Sequence, residues 1–207
     1  EIVFLGSSRS YRHYDPAIFE NAGVSTFNLG TGSQSIRESY KVLEHYIDSQ
    51  NTNMVIYDLY IGAMRLPGSL ESASNLIGNI SKNVAALDIA LDMNDSRAIN
   101  LYFMRCLMEN KSSMYTEEGY QGRGFCINQD MFDIEKLNPV NSQENIDRYN
   151  ALDHEELRQL EELILKCNKK GVRLILVNSP TSKYYSIENH ESFLQQIQPI
   201  LDEYQIT

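Results

Sequence analysis

Three serines and two arginines crowd the end of the first hydrophobic run: Gly6-Ser-Ser-Arg-Ser10, then Arg12. A serine that follows a buried strand on a tight glycine turn presents its hydroxyl for attack on an acyl carbon. Its own N–H then helps to hold the oxyanion that forms. Ser8 is the candidate nucleophile. The competing reading is a polar turn whose serines cap a helix. A second loop, Asn28-Leu-Gly-Thr-Gly-Ser33, offers Gly32 or Gly30 as a further oxyanion donor, since glycine permits close backbone approach. A third, Tyr57-Asp-Leu-Tyr60, places Asp58 and Tyr60 beyond another apolar run. Arg9 and Arg12 are candidates for holding an anionic substrate group, such as a phosphate or uronate, through paired N–H donors. Ion pairing with the chain's many carboxylates is their plainer role.

These loops converge only if the elements before them form one parallel sheet, because ligands of open parallel sheets bind beyond the carboxyl ends of the strands. The pattern meets that condition. Ile2–Leu5 is a continuous apolar run ending at Gly6, as expected of a buried strand. Asp15-Pro16 reads as an N-cap followed by proline at the first helical position, opening a short helix that ends near Gly23. Val24–Leu29 is a second strand. Ser35 and Glu38 have capping-box spacing, and the helix they open carries Ile36, Tyr40, Leu43 and Ile47 on one face. Met54–Tyr60 is a third strand. Strand, helix, strand, helix, strand predicts right-handed crossovers and an α/β domain with a mostly parallel sheet, a three-layer α/β/α arrangement.

Residues 63–150 interrupt that rhythm. Ser69–Leu91 and Ser96–Met108 read as helical and 110–142 mostly as loop, more than a crossover needs. The segment is expected to be an insertion within a single domain, forming a lid or a binding surface. The rhythm then resumes. Asp153 and Glu156 have capping-box spacing, Leu157, Leu160, Ile164 and Cys167 share a face, and Gly171 suits the position after a helix end. Val172–Val177 is a strand closed by Asn178-Ser-Pro180. Phe193, Leu194, Ile197 and Leu201 mark a last helix, with Pro199 as a bend site. The chain opens inside a strand, and Tyr204–Thr207 reads as the entry to another, so the expectation is a domain continuing at both ends.

Composition narrows the function. The 207 residues carry a formal charge of −10 and are 42% hydrophobic, enough for a packed core. A nucleic-acid surface requires a basic stripe, and the one basic doublet beside a hydrophobic run, Lys169-Lys170, sits where a helix ends. No run is long enough to span a bilayer and no signal peptide is present. Cys106, Cys126 and Cys167 match no zinc or CxxC spacing, and Cys167 lies on an apolar helix face. No metal site and no cofactor are expected. Of the four histidines, His45, His154 and His190 read as surface positions on helices. His13, with Asp15, is the one close to Ser8 in sequence, but Asp15 is better used as a cap.

Val3-Phe-Leu-Gly-Ser-Ser-Arg-Ser10 resembles the first block of the SGNH/GDSL hydrolase superfamily, with Ser8 on the nucleophile position and Ser7 on that of the usual aspartate. The Gly-Ser-Ser form is similar to that of bacterial cell-surface proteins of the teichoic-acid D-alanine transfer type. Phe27–Gln34 resembles the second block, in which a glycine donates to the oxyanion; Gly32 fits first and Gly30 next. Residues 163–180 resemble the late helix–strand unit. The resemblance implies an esterase or acyltransferase acting on acyl groups of a cell-envelope polysaccharide or a similar small ester, an extracytoplasmic location and a membrane anchor outside this chain. Two departures stand against it. Val55–Gly62 lacks the third block's oxyanion asparagine, with Asp58 or Tyr60 at that rim instead. No histidine follows an aspartate by three residues, so the general base either lies beyond Thr207 or is missing. The alternatives are therefore a catalytically inactive binding module on the same fold, and a phosphate- or nucleotide-binding flavodoxin-like domain that uses both glycine loops as cradles. The dinucleotide fingerprint is incomplete and Walker A is absent, which ranks the last reading third.

Overall fold

A computed structural model of the chain describes residues 1–64, 69–80, 83–107, 119–127, 152, 154–180 and 187–206; the side chains of residues 83 and 187–190 fall outside the description. Strands β1 (Ile2–Gly6), β2 (Thr26–Asn28), β3 (Met54–Asp58) and β6 (Arg173–Val177) form one sheet in the order β2-β1-β3-β6, parallel throughout. Helices flank it: α1 (Ser8–His13), α2 (Pro16–Asn21), α3 (Ile36–Tyr46), α8 (His154–Lys170) and α9 (Ile187–Glu203). This is the α/β class, with the three-layer α/β/α arrangement expected from the alternation of strands and helices.

Alternation along β1 divides the two faces of the sheet. Val3 and Leu5 enter the main core with Val42 and Leu43 of α3, Tyr57 of β3, and Leu160, Leu163, Ile164 and Cys167 of α8. Phe4 points the other way and stacks on Tyr14, with ring centroids 4.9 Å apart, and packs on Phe19 of α2. The chain leaves β1 for β2 on one side and crosses back past β1 to β3 on the other. The gap between the ends of β1 and β3 is therefore the topological switch point.

Local chemistry fixes the helix starts. Asp15 accepts a hydrogen bond from the Ala17 amide, with Pro16 following. Ser35 and Glu38 close a reciprocal capping box. After α8, Gly171 has φ +66° and the Val172 amide bonds back to the Cys167 carbonyl. The Asp153–Glu156 pairing lies outside the described residues. Lys170 does more than complement its own helix: its ammonium donates to the Glu44 and Ile47 carbonyls at the end of α3, at 2.8 and 2.6 Å. Residues 204–206 differ from their sequence reading as a strand entry. The Tyr204 and Ile206 amides bond back to Ile200 and Leu201, so they close α9.

The described part of the long insertion holds four helices and a hairpin. The helix read across Ser69–Leu91 is two, α5 (Leu70–Asn79) and α6 (Asn83–Asp92), because α5 is capped at Ile80; α4 (Ile61–Met64) precedes them and α7 (Ser96–Leu107) follows. A hairpin, β4 (Tyr120–Gly122) and β5 (Phe125–Cys126), lies in the stretch read as loop. Its Arg123 carbonyl accepts from the Asn28 amide, and Arg123 pairs with Glu20, so the hairpin covers the exposed edge of β2. No helix among the described residues is long and apolar enough to cross a membrane.

Candidate functional site

Gly6 ends β1 with φ +141°, a conformation that side chains disfavour. A Cβ there would also press on the Asp58 backbone and the Ser10 side chain. The turn it permits starts α1 at once. Ser7 is the N-cap, nearly buried, and its hydroxyl accepts from the Arg9 amide. Ser8 is the first helical residue, half-buried at the rim. The cap expected of these serines is thus supplied by Ser7, which leaves Ser8 without that duty. Neither its hydroxyl nor its N–H makes a hydrogen bond to a described residue.

Asn28, at the end of β2, ties the first two loops together. Its amide nitrogen donates to the Ser10 carbonyl at 2.9 Å, and its oxygen accepts from the Ser10 hydroxyl at 3.2 Å and the Gly30 amide at 3.0 Å. Asn28 and Ser10 are both buried. This separates the two candidate oxyanion glycines. The Gly30 N–H is already used, and Gly30 sits so close to Gly6 that a Cβ would lie 2.9 Å from its carbonyl oxygen. Gly32 makes no such bond among the described residues. Its surroundings are open, with Glu71 and Asn75 of α5 and the Tyr11 hydroxyl as neighbours. The insertion thus borders the second loop, and Thr31 and Ser72 lie in hydrogen-bond contact at 3.4 Å.

The third loop holds a buried polar network. Asp58, the last residue of β3, is fully buried. One of its oxygens accepts from the Ser179 hydroxyl, which in turn accepts from the Tyr14 hydroxyl at 2.8 Å. The other faces Arg9 Nε at 3.7 Å. Burial, reinforced by the nearby Asp58 charge, raises the Tyr14 pKa against the opposing effect of its bond to Ser179. Tyr14 therefore stays protonated and remains a donor. Arg9 also donates to the Asn178 side-chain oxygen and the Ser179 carbonyl, and its guanidinium lies 4.7 Å from the Tyr60 ring centroid. Gly62 leaves room for that ring, since a Cβ there would overlap it.

Six candidate positions from the sequence thus lie at or beyond the carboxyl ends of three adjacent parallel strands: Ser8, Arg9, Gly30, Gly32, Asp58 and Tyr60. Arg12 lies one helical turn after Ser8 on α1. It is exposed, with its guanidinium 5.4 Å from the Tyr11 ring. No described histidine bonds to Ser8. His13 is exposed at the far end of α1, His154 is exposed at the start of α8, and the His190 side chain lies outside the description. His45 pairs with Asp88 at 2.9 Å on the outer face of α3. With Glu44 it forms the one grouping of metal-ligand type among the described residues, but Lys41 and Lys166 already neutralise its carboxylates. A groove of about 240 Å³ between α3 and α8 is lined by charges of both signs that pair with one another, among them Arg37 with Asp92 and Arg158 with Glu155. None of its residues belongs to the three loops.

Ser179, Tyr14 and Asn28 were missed as site residues. Asn178-Ser-Pro180 after the clearest strand was the available signal for Ser179. Comparison of the chain with protein-family models, with curated proteins and with solved structures finds no match in any of the three. The SGNH resemblance therefore rests on the strand-end motifs themselves.

Proposed function

We propose that this domain is a serine esterase or acyltransferase of the SGNH type, acting on acyl groups of a cell-envelope polysaccharide or a similar ester outside the cytoplasm. Ser8 Oγ attacks the acyl carbon and its proton passes to a base from outside the described residues. The Ser8 and Gly32 N–H groups face the oxyanion. The C–O bond to the alcohol breaks as that alcohol takes up the proton, and water or an acceptor hydroxyl then releases the acyl group from Ser8. The observation that carries this reading is the division of labour on the two glycine loops. Ser7 caps α1 and Gly30 serves Asn28, while the Ser8 hydroxyl and N–H and the Gly32 N–H are unengaged by any described residue.

A second reading, a binding module without catalysis, is favoured by the third loop. The Asp58–Arg9 pair stands where an asparagine donor would be expected, and no described histidine reaches Ser8. Hydrolysis of a neutral p-nitrophenyl ester by the full native protein separates the two. An initial burst of nitrophenol that Ser8→Ala abolishes supports the enzyme. Hydrolysis that is unchanged in Ser8→Ala rejects Ser8 as the nucleophile, and absence of hydrolysis by the folded protein supports the binding module.

A further inference from the structure

We infer that Asp58 makes the rim beside Ser8 select uncharged ligands over anionic ones, by holding the charge of Arg9 permanently compensated. The inference takes from the proposed function only the location of the ligand, beside Ser8. Arg9 is the cation nearest that serine in the chain and would by itself attract phosphate, sulfate or carboxylate. Its guanidinium is instead drawn inward, Nε to within 3.7 Å of Asp58 Oδ1, and only 15% of the side chain is exposed.

The carboxylate cannot yield to an incoming anion. Asp58 is completely buried in a central strand, between β1 and β6. Its Oδ2 is held by the Ser179 hydroxyl, which Tyr14 supports from behind. Arg9 is equally fixed, by the Asn178 and Ser179 oxygens and by the Tyr60 ring. The pair is nevertheless not saturated. Asp58 Oδ1 and Arg9 Nη1 are both buried and make no hydrogen bond to a described group. An arginine serving purely as a structural strut would be expected to use both, since unpaired buried donors and acceptors are costly. What the ligand meets is a site of zero net charge with a carboxylate oxygen fixed inside it. An ester, an amide or a hydroxyl is compatible with that field. A phosphate or uronate is drawn by Arg9 and repelled by Asp58 behind it, so most of the attraction is cancelled. On this inference Arg9 does not take the anion-holding role that the sequence offers it.

Replacing Asp58 with asparagine keeps the shape and an acceptor for Ser179 while removing the negative charge. The probe is inorganic phosphate, titrated into the folded protein and followed through the backbone amide signals of Ser8, Arg9 and Gly32. The wild type is expected to show no saturable shift at these amides. Asp58→Asn is expected to bind phosphate at least about tenfold more tightly, because a unit charge a few ångströms away counts for more than a decade at the effective dielectric near a protein surface. The double variant Asp58→Asn with Arg9→Gln is expected to lose the gain. Saturable phosphate binding by the wild type overturns the inference, as does a folded Asp58→Asn variant with no gain. The wild-type titration decides alone if the variant does not fold. None of these readouts uses nucleophilic chemistry, so failure of the Ser8 reading is detected separately, by the ester burst.

Discussion

The two glycines of the second loop offer a clean contrast, because they share a loop and differ in what surrounds them. A methyl group on Gly30 would lie 2.9 Å from the Gly6 carbonyl oxygen, 2.9 Å from Ser10 Cβ and 3.1 Å from the Asn28 side-chain oxygen. None of these can retreat easily. The Gly6 oxygen accepts from the Thr31 amide, and Ser10 and Asn28 are buried and bonded to each other. Gly30→Ala therefore forces the first and second loops apart. Overpacking of this kind costs about 1–3 kcal/mol. In a domain of this size each kcal/mol lowers Tm by roughly 2–4 °C, so a fall of several degrees is expected. At Gly32 the nearest atom to an added Cβ is 3.7 Å away, and the backbone there does not have positive φ. Gly32→Ala should shift stability by no more than about 0.5 kcal/mol. Thermal and urea melts followed by circular dichroism measure both. Equal destabilisation by the two variants, or a neutral Gly30→Ala, would refute the assignment of Gly30 to structure and Gly32 to an open rim.

Other expectations follow from the same geometry. Glu38 is buried, and burial raises its pKa despite the opposing bonds from Ser35. A carboxyl raised in the folded state binds more protons there than in the unfolded chain, so stability falls as pH rises above the ordinary glutamate range near 4.5. Glu38→Gln should accordingly gain in Tm relative to wild type at pH 7 and lose that advantage near pH 4; the opposite trend would contradict the burial argument. Burial pushes the Cys167 thiol up to about 12, whereas Cys106 is exposed. Iodoacetamide at neutral pH should modify Cys106 in the native protein and reach Cys167 only after denaturation, as read by peptide mass mapping. Lys170→Met removes two charge-assisted bonds to the end of α3 and should cost about 1–3 kcal/mol in urea unfolding.

The parts of the fold that were legible in the sequence are those set by neighbours along the chain. Asp15-Pro16, Ser35 with Glu38, and Gly171 each carry their structural instruction within a few residues, and apolar runs marked β1, β3 and β6, whereas β2 lies in the mixed stretch Val24–Leu29. The division of Ser69–Leu91 into two helices was hidden because α6 is apolar around most of its circumference, so no change of face announces the break at Ile80. The hairpin at Tyr120–Cys126 was hidden because its strands are too short for alternation to register; its glycines at 122 and 124 serve positive φ and close approach to Asn28. At the site, Ser8, Gly30, Gly32 and Tyr60 were visible as strand-end residues. The pairing of Arg9 with Asp58, and the support of Asp58 by Ser179 and Tyr14, was not. Those residues come from β1–α1, β3 and β6, and only the order of strands in the sheet makes them neighbours.

The proposed role of Ser8 is that of an activated nucleophile. It is tested most directly by treating the full native protein with a fluorophosphonate and measuring intact mass, with Ser8→Ala and Ser10→Ala alongside. A single adduct is expected in the wild type, retained in Ser10→Ala, absent from Ser8→Ala, and located by digestion to the peptide containing Ser8. A folded wild-type protein that forms no adduct, or an adduct that persists in Ser8→Ala, would contradict it.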